Sequence, residues 1–169
     1  MSGGAVARIA LIGVMLMTAC ADAETRAPAQ ADLIVVEKAA RRLTLYARQR
    51  PIASLGISLG GAPVGHKERE GDQRTPEGRY SIDARNPGSS YHRSLRISYP
   101  NAADRAHAAE LGVDPGGLIM IHGIRNGLGF IGSLHRALDW TDGCIALTDA
   151  EMDFVWDATP VGTPIEIRP

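Results

Sequence analysis

Two segments of the sequence carry the residues that could do covalent chemistry. His122 and Gly123 follow an apolar run, and Cys144 lies 22 positions after His122, directly behind Gly143. The thiolate is the reactive form of a cysteine, and a neighbouring imidazole can take the thiol proton and then stabilise the anion. The pair therefore predicts nucleophilic catalysis, with Cys144 as the nucleophile and His122 as the general base and acid. A buried thiol that packs as a small apolar residue is the alternative interpretation.

The turn around the cysteine offers groups that could stabilise a reaction intermediate. Gly143 has no side chain, so its backbone can approach a substrate closely. We expect the backbone N–H groups of Asp142, Gly143 and Cys144 to form an oxyanion hole, which stabilises the negative oxygen of a tetrahedral intermediate.

Four further residues are candidates for substrate binding. The guanidinium groups of Arg125 and Arg136 could bind carboxylates in a bidentate manner, although a solvated surface position is the plainer interpretation of each. Trp140 and Thr141 adjoin the cysteine turn and could line the site, whereas Trp140 could instead fill the core.

Metal and cofactor chemistry finds little support in the sequence. A zinc site built from His122, His135 and Cys144, with Asp142, has permissible ligand types, but its spacing matches no familiar zinc pattern. No nucleotide or dinucleotide motif is present, and thiol-based nucleophilic catalysis needs no cofactor, so we expect neither a cofactor nor a metal.

The first residues have the features of an export signal. Arg8 precedes an apolar stretch, 9–17, which is too short to span a bilayer, and small residues follow it. We expect a signal peptide over 1–23, which is cleaved either before a lipidated Cys20 or after Ala23. A short tether over 24–31 and one domain over 32–169 then follow. Either cleavage places the protein outside the cytoplasm and leaves Cys144 without a disulfide partner. A membrane would be contacted only through the lipid on Cys20.

The composition is that of a globular protein. Of the 169 residues, 44% are hydrophobic and 22% are charged, which excludes a disordered chain and a polytopic membrane protein. The 18 basic residues nearly balance the 19 acidic ones, and a net charge of −1 gives no reason to expect nucleic-acid binding.

Hydrophobic periodicity predicts the elements that must position the two segments. Alternating or short apolar runs indicate strands at 33–37, 43–47, 52–59, 79–83, 94–99, 118–121 and 164–167. An Asn cap predicts a helix over 101–111, a capping box at Thr148 and Glu151 predicts another that runs to about 157, and 133–139 fits a helical turn. Polar turn-forming residues mark 65–78 as a surface loop. The sequence therefore predicts one mostly-β domain covered by two or three short helices.

The motifs resemble a known family. The sequence His122-Gly123, followed after 17 residues by Thr141-x-Gly-Cys-Ile145, is similar to the signature of the L,D-transpeptidase catalytic domain, the YkuD type. The stretches 71–78 (GDQRTPEG), 98–104 (SYPNAAD) and 139–146 (DWTDGCIA) resemble its murein L,D-transpeptidase-like branch. The resemblance extends from about Leu33 to Ile167.

This resemblance implies a β-sandwich-like fold and a periplasmic cysteine acyltransferase that acts on peptidoglycan stem peptides during cell-wall biogenesis or remodelling. Cys144 would attack the carbonyl of an L-centre, normally that of meso-diaminopimelate, and release the terminal D-residue. His122 would be the general base and then the acid, and the Gly123 carbonyl would orient its imidazole.

Two positions depart from the family pattern. Asp142 replaces the usual His before Gly-Cys, and Ala146 replaces a polar residue that is common two places after the cysteine. A carboxylate beside Cys144 would disfavour the thiolate. The acceptor of the acyl group therefore stays open. An amine would give transpeptidation, water would give carboxypeptidase or amidase activity, and a wall-linked protein could be attached or released. A non-catalytic wall-binding lipoprotein is the remaining alternative.

Overall fold

The structure is a computed structural model that describes residue 1 and residues 29–169. Within these residues the chain forms eight strands, two α-helices and one 3-10 helix. In chain order they are β1 (Leu33–Glu37), β2 (Arg42–Ala47), β3 (Arg50–Gly56), β4 (Gly78–Asn86), β5 (Ser94–Ile97), α1 (Ala102–Leu111), β6 (Met120–His122), the 3-10 helix (Gly129–Ala137), β7 (Ile145–Ala146), α2 (Asp149–Ala158) and β8 (Pro164–Arg168).

All eight strands belong to one mixed sheet in the order β3-β2-β1-β8-β4-β5-β6-β7. The first three strands form an antiparallel meander, and β8 pairs parallel to β1 and antiparallel to β4. The sheet curls until its two ends meet, because Ser58, just after β3, forms an antiparallel bridge with Ala146 in β7. The prediction of a mostly-β fold is confirmed.

The core lies inside the curled sheet and is formed by one face of most strands. Successive side chains of a strand point to opposite faces, so alternate apolar residues share the interior. Fully buried examples come from both halves of the sheet and from α2: Ile34, Val36, Leu43, Leu45, Ile82, Leu95, Ile97, Ile121, Ile145, Met152 and Val155. Burying each such side chain contributes roughly 1.5–3 kcal/mol, which makes this face the main source of stability.

The same alternation places the two chemical segments side by side. Strands β6 and β7 pair in parallel, with Ile121 opposite Ile145. Both isoleucines point into the core, so the residues next to them, His122 after Ile121 and Cys144 before Ile145, point to the opposite face. The pairing of these two short strands therefore brings the imidazole and the thiol to one side of the sheet.

Some predicted boundaries differ from the structure. The strand predicted over 52–59 ends at Gly56, and the one predicted over 118–121 begins only at Met120, because Leu118 has a left-handed φ of 56° that a strand cannot contain. The helical turn predicted over 133–139 is a 3-10 helix from Gly129 to Ala137.

The predicted surface loop at 65–78 contains buried charges. The Lys38 ammonium lies inside it, with Glu77 Oε1 at 2.8 Å and the Thr75 carbonyl at 3.0 Å. The Lys67 ammonium is also buried and contacts Asp72 Oδ1 at 2.8 Å. A buried charge is stable only when it is paired, so these two contacts fix the shape of the loop.

Apart from residue 1, the predicted signal peptide at 1–23, with Cys20, lies outside the described residues, and so does most of the predicted tether at 24–31. Among the residues that are described, no helix is both long and apolar enough to cross a membrane.

Candidate active site

His122 and Cys144 line one pocket of about 270 Å³ at the surface. The pocket lies beside the paired strands β6 and β7 and includes residues of the turn that precedes the cysteine. Its remaining lining residues are Ser89, Tyr91, Leu118, Met120, Trp140, Thr141 and Asp142. The two residues that the sequence pairs are therefore brought together.

A hydrogen bond orients the imidazole of His122. Its Nδ1 donates to the carbonyl oxygen of Gly123 at 2.6 Å, because a carbonyl can only accept. This fixes the neutral tautomer, and Nε2 is left as the nitrogen that can accept a proton. Burial lowers the pKa of His122, although its contact with Gly123 acts in the opposite direction. The imidazole is therefore neutral near pH 7 and suited to act as a base.

Cys144 carries a protonated thiol in this environment. Burial raises the pKa of the thiol, the backbone N–H of Met120 lowers it, and the carboxylate of Asp142 raises it further. The Cys144 thiol donates to the carbonyl oxygen of Leu118 at 3.6 Å. The hydrogen bond of the resting thiol thus goes to the backbone and not to the imidazole. Cys144 is the only cysteine among the described residues.

Thr141 and Gly143 shape the turn before the cysteine. The Thr141 hydroxyl donates to the Cys144 carbonyl at 2.8 Å and accepts the Gly143 N–H at 3.2 Å. Gly143 has a φ of 118°, and a Cβ atom there would lie 2.6 Å from the Arg74 carbonyl oxygen. The turn therefore requires glycine at this position.

The Gly143 N–H is already engaged, so only part of the expected oxyanion hole is available in this conformation. Within residues 29–169, the N–H groups of Asp142 and Cys144 have no protein acceptor. These two groups are the donors that the turn can offer to an oxyanion.

Two aromatic side chains lie beside His122, one of them the predicted Trp140. The rings of Tyr91 and Trp140 lie 4.7 Å and 5.7 Å from the imidazole, measured between centroids, and 6.0 Å from each other. The Trp140 indole N–H donates to His135 Nδ1 at 3.4 Å, which holds the tryptophan at the pocket wall. Trp140 therefore lines the site. Tyr91 belongs to an irregular loop, and no spacing in the sequence points to it.

Comparison with known proteins identifies the family. The model of the L,D-transpeptidase catalytic domain family, YkuD, matches residues 31–167. The chain belongs to this family.

Named relatives share parts of the chain. YafK of Escherichia coli strain K12 is 33% identical over 112 residues, which cover 63% of this chain and 44% of YafK. The helical cell shape determining protein Pgp2 from Campylobacter jejuni matches with a TM-score of 0.62 and 26% identity, over 82% of this chain and 48% of Pgp2. An L,D-transpeptidase from Mycobacterium smegmatis, with a TM-score of 0.53 and 16% identity over 82% of this chain and 59% of its own, shares the fold. The chain spans about half the length of YafK and of Pgp2.

The two positions that depart from the L,D-transpeptidase pattern have different surroundings. Asp142 is exposed at the mouth of the pocket, where its carboxylate can reach solvent or a ligand. Ala146 is fully buried, and its N–H donates to the Ser58 carbonyl at 2.9 Å where the sheet closes. A long polar side chain at 146 would have to replace part of this packing, so only the Asp142 departure changes the groups that face the pocket.

The two arginines are not part of the thiol pocket. Arg136 forms an ion pair with Glu151 and does not line the pocket that contains Cys144. Arg125 is exposed and lines a neighbouring apolar cavity of about 410 Å³, which shares Tyr91 and Trp140 with the thiol pocket. The structure thus separates Arg136 from the site and leaves Arg125 beside it.

The described residues bear on the alternative of a zinc site built from His122, His135, Cys144 and Asp142. No group of three or more His, Cys, Asp or Glu side chains in residues 29–169 is arranged to hold a metal ion. His135 lies behind Trp140, where its Nδ1 is 3.2 Å from the Ser58 hydroxyl.

Proposed function

We propose that this protein is a cysteine acyltransferase that acts on peptidoglycan stem peptides by L,D-transpeptidation. The observation that supports the proposal is that the Cys144 thiol and the His122 imidazole line the same pocket, in a chain of the L,D-transpeptidase family. Cys144 serves as the nucleophile and His122 as the base and acid, and the Gly123 carbonyl orients the imidazole.

The first half of the reaction forms an acyl-enzyme. His122 Nε2 takes the thiol proton while Cys144 Sγ forms a bond to the carbonyl carbon of an L-centre in the stem peptide. The negative oxygen of the tetrahedral intermediate is stabilised by backbone N–H groups of Asp142 and Cys144. The intermediate collapses with cleavage of its C–N bond, and His122 gives its proton to the leaving amine. A thioester on Cys144 remains.

The second half transfers the acyl group. An amine of another stem peptide loses a proton to His122 and attacks the thioester carbonyl, and the C–S bond breaks. The thiol is then protonated again by His122. The product is a cross-link between two stem peptides. Cys144 is again a thiol and His122 is again neutral, so the enzyme is ready for another cycle.

Hydrolysis is the second candidate function, and Asp142 is the observation that favours it. Its exposed carboxylate at the pocket mouth can accept a hydrogen bond from a water molecule close to the thioester. Water as the acceptor would make the protein an L,D-carboxypeptidase or an amidase, including one that releases a wall-linked protein. Trp140, Thr141 and Arg125 would then contact the substrate on either side of the thiol.

We place the protein in the periplasm, where it would take part in cell-wall remodelling. A signal peptide at 1–23 would export it, and a lipid on Cys20 would attach it to a membrane. The name of Pgp2 as a cell shape determining protein suggests an effect on cell shape. Labelling with a radioactive fatty acid tests the anchor, since the wild type should be labelled and the Cys20→Ala variant should not. Absence of label from both would contradict it.

Digestion of purified sacculi tests the reaction and separates the two candidates. Wild type, Cys144→Ala and the surface control Ser133→Ala are each incubated with sacculi, and the muropeptides are then separated and identified by mass. New cross-links between two diaminopimelate residues support transfer, and shortened or uncross-linked stem peptides support hydrolysis. Whichever of these products the wild type forms, Cys144→Ala should not form it, and Ser133→Ala should form it to the wild-type extent. No change with the wild type would contradict both functions.

A further inference from the structure

One peptide group has both of its polar ends engaged beside His122. Its carbonyl, that of Gly123, accepts the imidazole Nδ1–H at 2.6 Å. Its N–H, that of Ile124, donates to the Asp149 carboxylate oxygen Oδ1 at 2.8 Å. The atoms of a peptide group lie in a plane with C=O and N–H pointing in opposite directions. Holding the N–H therefore fixes the direction in which the carbonyl faces the imidazole.

We propose that Asp149 is a positioning residue for His122 and that it acts through the peptide group between Gly123 and Ile124. The carboxylate keeps this peptide in the orientation that the imidazole needs, and its negative charge polarises the peptide so that the Gly123 carbonyl accepts more strongly. A stronger acceptor at Nδ1 favours the protonated imidazole that forms when His122 takes the thiol proton.

The local sequence provides the space that this carboxylate occupies. A Cβ atom on Gly123 would lie 2.7 Å from Asp149 Oδ1, and one on Gly129 would lie 2.3 Å from Oδ2. Neither glycine has a left-handed φ, so crowding, and not backbone conformation, excludes a side chain at both positions. The carboxylate approaches both glycines, and the His92 Cβ atom would also lie 2.8 Å from a Cβ on Gly123. The Asp149 carboxylate thus occupies space that the absence of side chains at these two glycines leaves open.

The capped first turn of α2 fixes the backbone position of Asp149. The Thr148 hydroxyl and the Glu151 side chain form a capping box, so the first turn of the helix is fixed immediately around Asp149. Within residues 29–169 the Asp149 carboxylate has no ion-pair partner, and its hydrogen bond goes to the Ile124 N–H. Its charge is therefore available to the peptide group.

Three variants of the full chain test this inference. Asp149→Ala removes the acceptor, Asp149→Asn keeps an oxygen that can accept the Ile124 N–H but removes the charge, and Asp157→Ala removes an exposed acid from the same helix. Each is compared with the wild type for kcat and KM on a stem tetrapeptide and for the proton resonance of the His122 Nδ1–H. Loss of the hydrogen-bond partner of a metal-binding histidine typically lowers metal affinity or activity ~10–100-fold, and we expect a loss of the same order for a partner that positions a catalytic histidine.

We expect Asp149→Ala to lower kcat by that factor with KM unchanged, and to broaden or remove the Nδ1–H resonance through exchange with water. Asp149→Asn should keep the resonance at a higher field and lose less activity, and Asp157→Ala should match the wild type. A wild-type kcat in Asp149→Ala would overturn the inference. A fall in kcat with an unchanged Nδ1–H resonance would also overturn it, because a purely structural role gives that result.

The kinetic part of this test rests on the proposed function, whereas the resonance does not. If the wild type does not react with stem peptides, the proposed function fails, and the resonance alone decides the role of Asp149. Its loss in Asp149→Ala supports the inference, and its persistence overturns it.

Discussion

Burial shifts the pKa values of His122 and Cys144 in opposite directions within the pocket that they share. It lowers the pKa of the imidazole below 6.5 and raises the pKa of the thiol above 9.0. Both side chains are therefore neutral in between, in contrast to a thiolate–imidazolium pair. In such a site the thiol loses its proton to His122 only as it attacks.

The reactivity of Cys144 should therefore increase with pH across the neutral range. Because the thiolate fraction grows until the pH exceeds the raised pKa, alkylation by iodoacetamide should speed up about tenfold per pH unit between pH 7 and 9. The rate is measured by mass spectrometry of the peptide that contains Cys144. A plateau between pH 5 and 8 would contradict the neutral pair.

Replacing Asp142 with asparagine should make the thiol more reactive. The carboxylate raises the pKa of Cys144, so Asp142→Asn should lower that pKa and increase the alkylation rate at pH 7.5 by about two- to fivefold. The gain should shrink in 0.5 M salt, because salt screens an exposed charge. Asp157→Asn is the matched control and should have no effect. An unchanged rate in Asp142→Asn would show that its charge does not reach the sulfur.

An alanine at position 143 should destabilise the protein. Gly143 has a φ of 118°, and a Cβ atom would meet the Arg74 carbonyl at 2.6 Å. The conformation alone costs about 1–3 kcal/mol for a residue other than glycine. Urea unfolding of Gly143→Ala and of Gly117→Ala, an exposed glycine without positive φ, gives the comparison. Equal stability of the two variants would argue against the turn described here.

The ion pair inside the 65–78 loop should matter far more than one on the surface. Asp72→Ala leaves the buried Lys67 ammonium without its partner and should lower the free energy of unfolding by roughly 3–5 kcal/mol. Asp83→Ala, which breaks an exposed pair with Arg96, should have almost no effect. Chemical denaturation measures both, and similar values for the two variants would contradict the prediction.

The same pair should make the protein sensitive to acid. Burial alone would raise the pKa of Asp72, but hydrogen bonds from Lys67 and from three backbone N–H groups outweigh it and hold the pKa at about 2. Because 3.8 is the ordinary value, this stabilisation is complete above about pH 4 and is lost as the pH falls toward 2. Asp72→Asn should show a weaker dependence of stability on pH in that range. An unchanged dependence would exclude Asp72 as its source.

The sequence predicts best those elements whose burial follows a regular period. Strand β1 matches its expected range, 33–37, and both capped helices begin where Asn101 and Thr148 indicate. Strand β4 runs on to Asn86, beyond the expected 79–83, because its last residues pair with β5 without burying apolar side chains. Periodicity reports burial, so it does not detect strand residues that are held by backbone pairing alone.

In the site, too, some residues can be predicted from the sequence and others cannot. His122 and Cys144 stand out by residue type and spacing, whereas Tyr91 reaches the pocket from a loop whose path depends on the whole fold. Asp149 looks in the sequence like an ordinary acid in the first turn of a helix, and its contact with the Ile124 N–H spans 25 residues. Lys38 lies in a polar hairpin turn, yet its partner Glu77 arrives from a distant loop. Long-range polar pairing of this kind leaves no periodic pattern.

Trapping the acyl-enzyme tests the central claim most directly. The protein is mixed with a stem tetrapeptide, quenched with acid within seconds and analysed by intact-mass and peptide mass spectrometry, alongside Cys144→Ala and His122→Ala. We predict a mass increase equal to the acyl part of the tetrapeptide on the peptide that contains Cys144, no increase in Cys144→Ala and slow accumulation in His122→Ala. Turnover of the tetrapeptide by Cys144→Ala at the wild-type rate would contradict the assignment of Cys144 as the nucleophile.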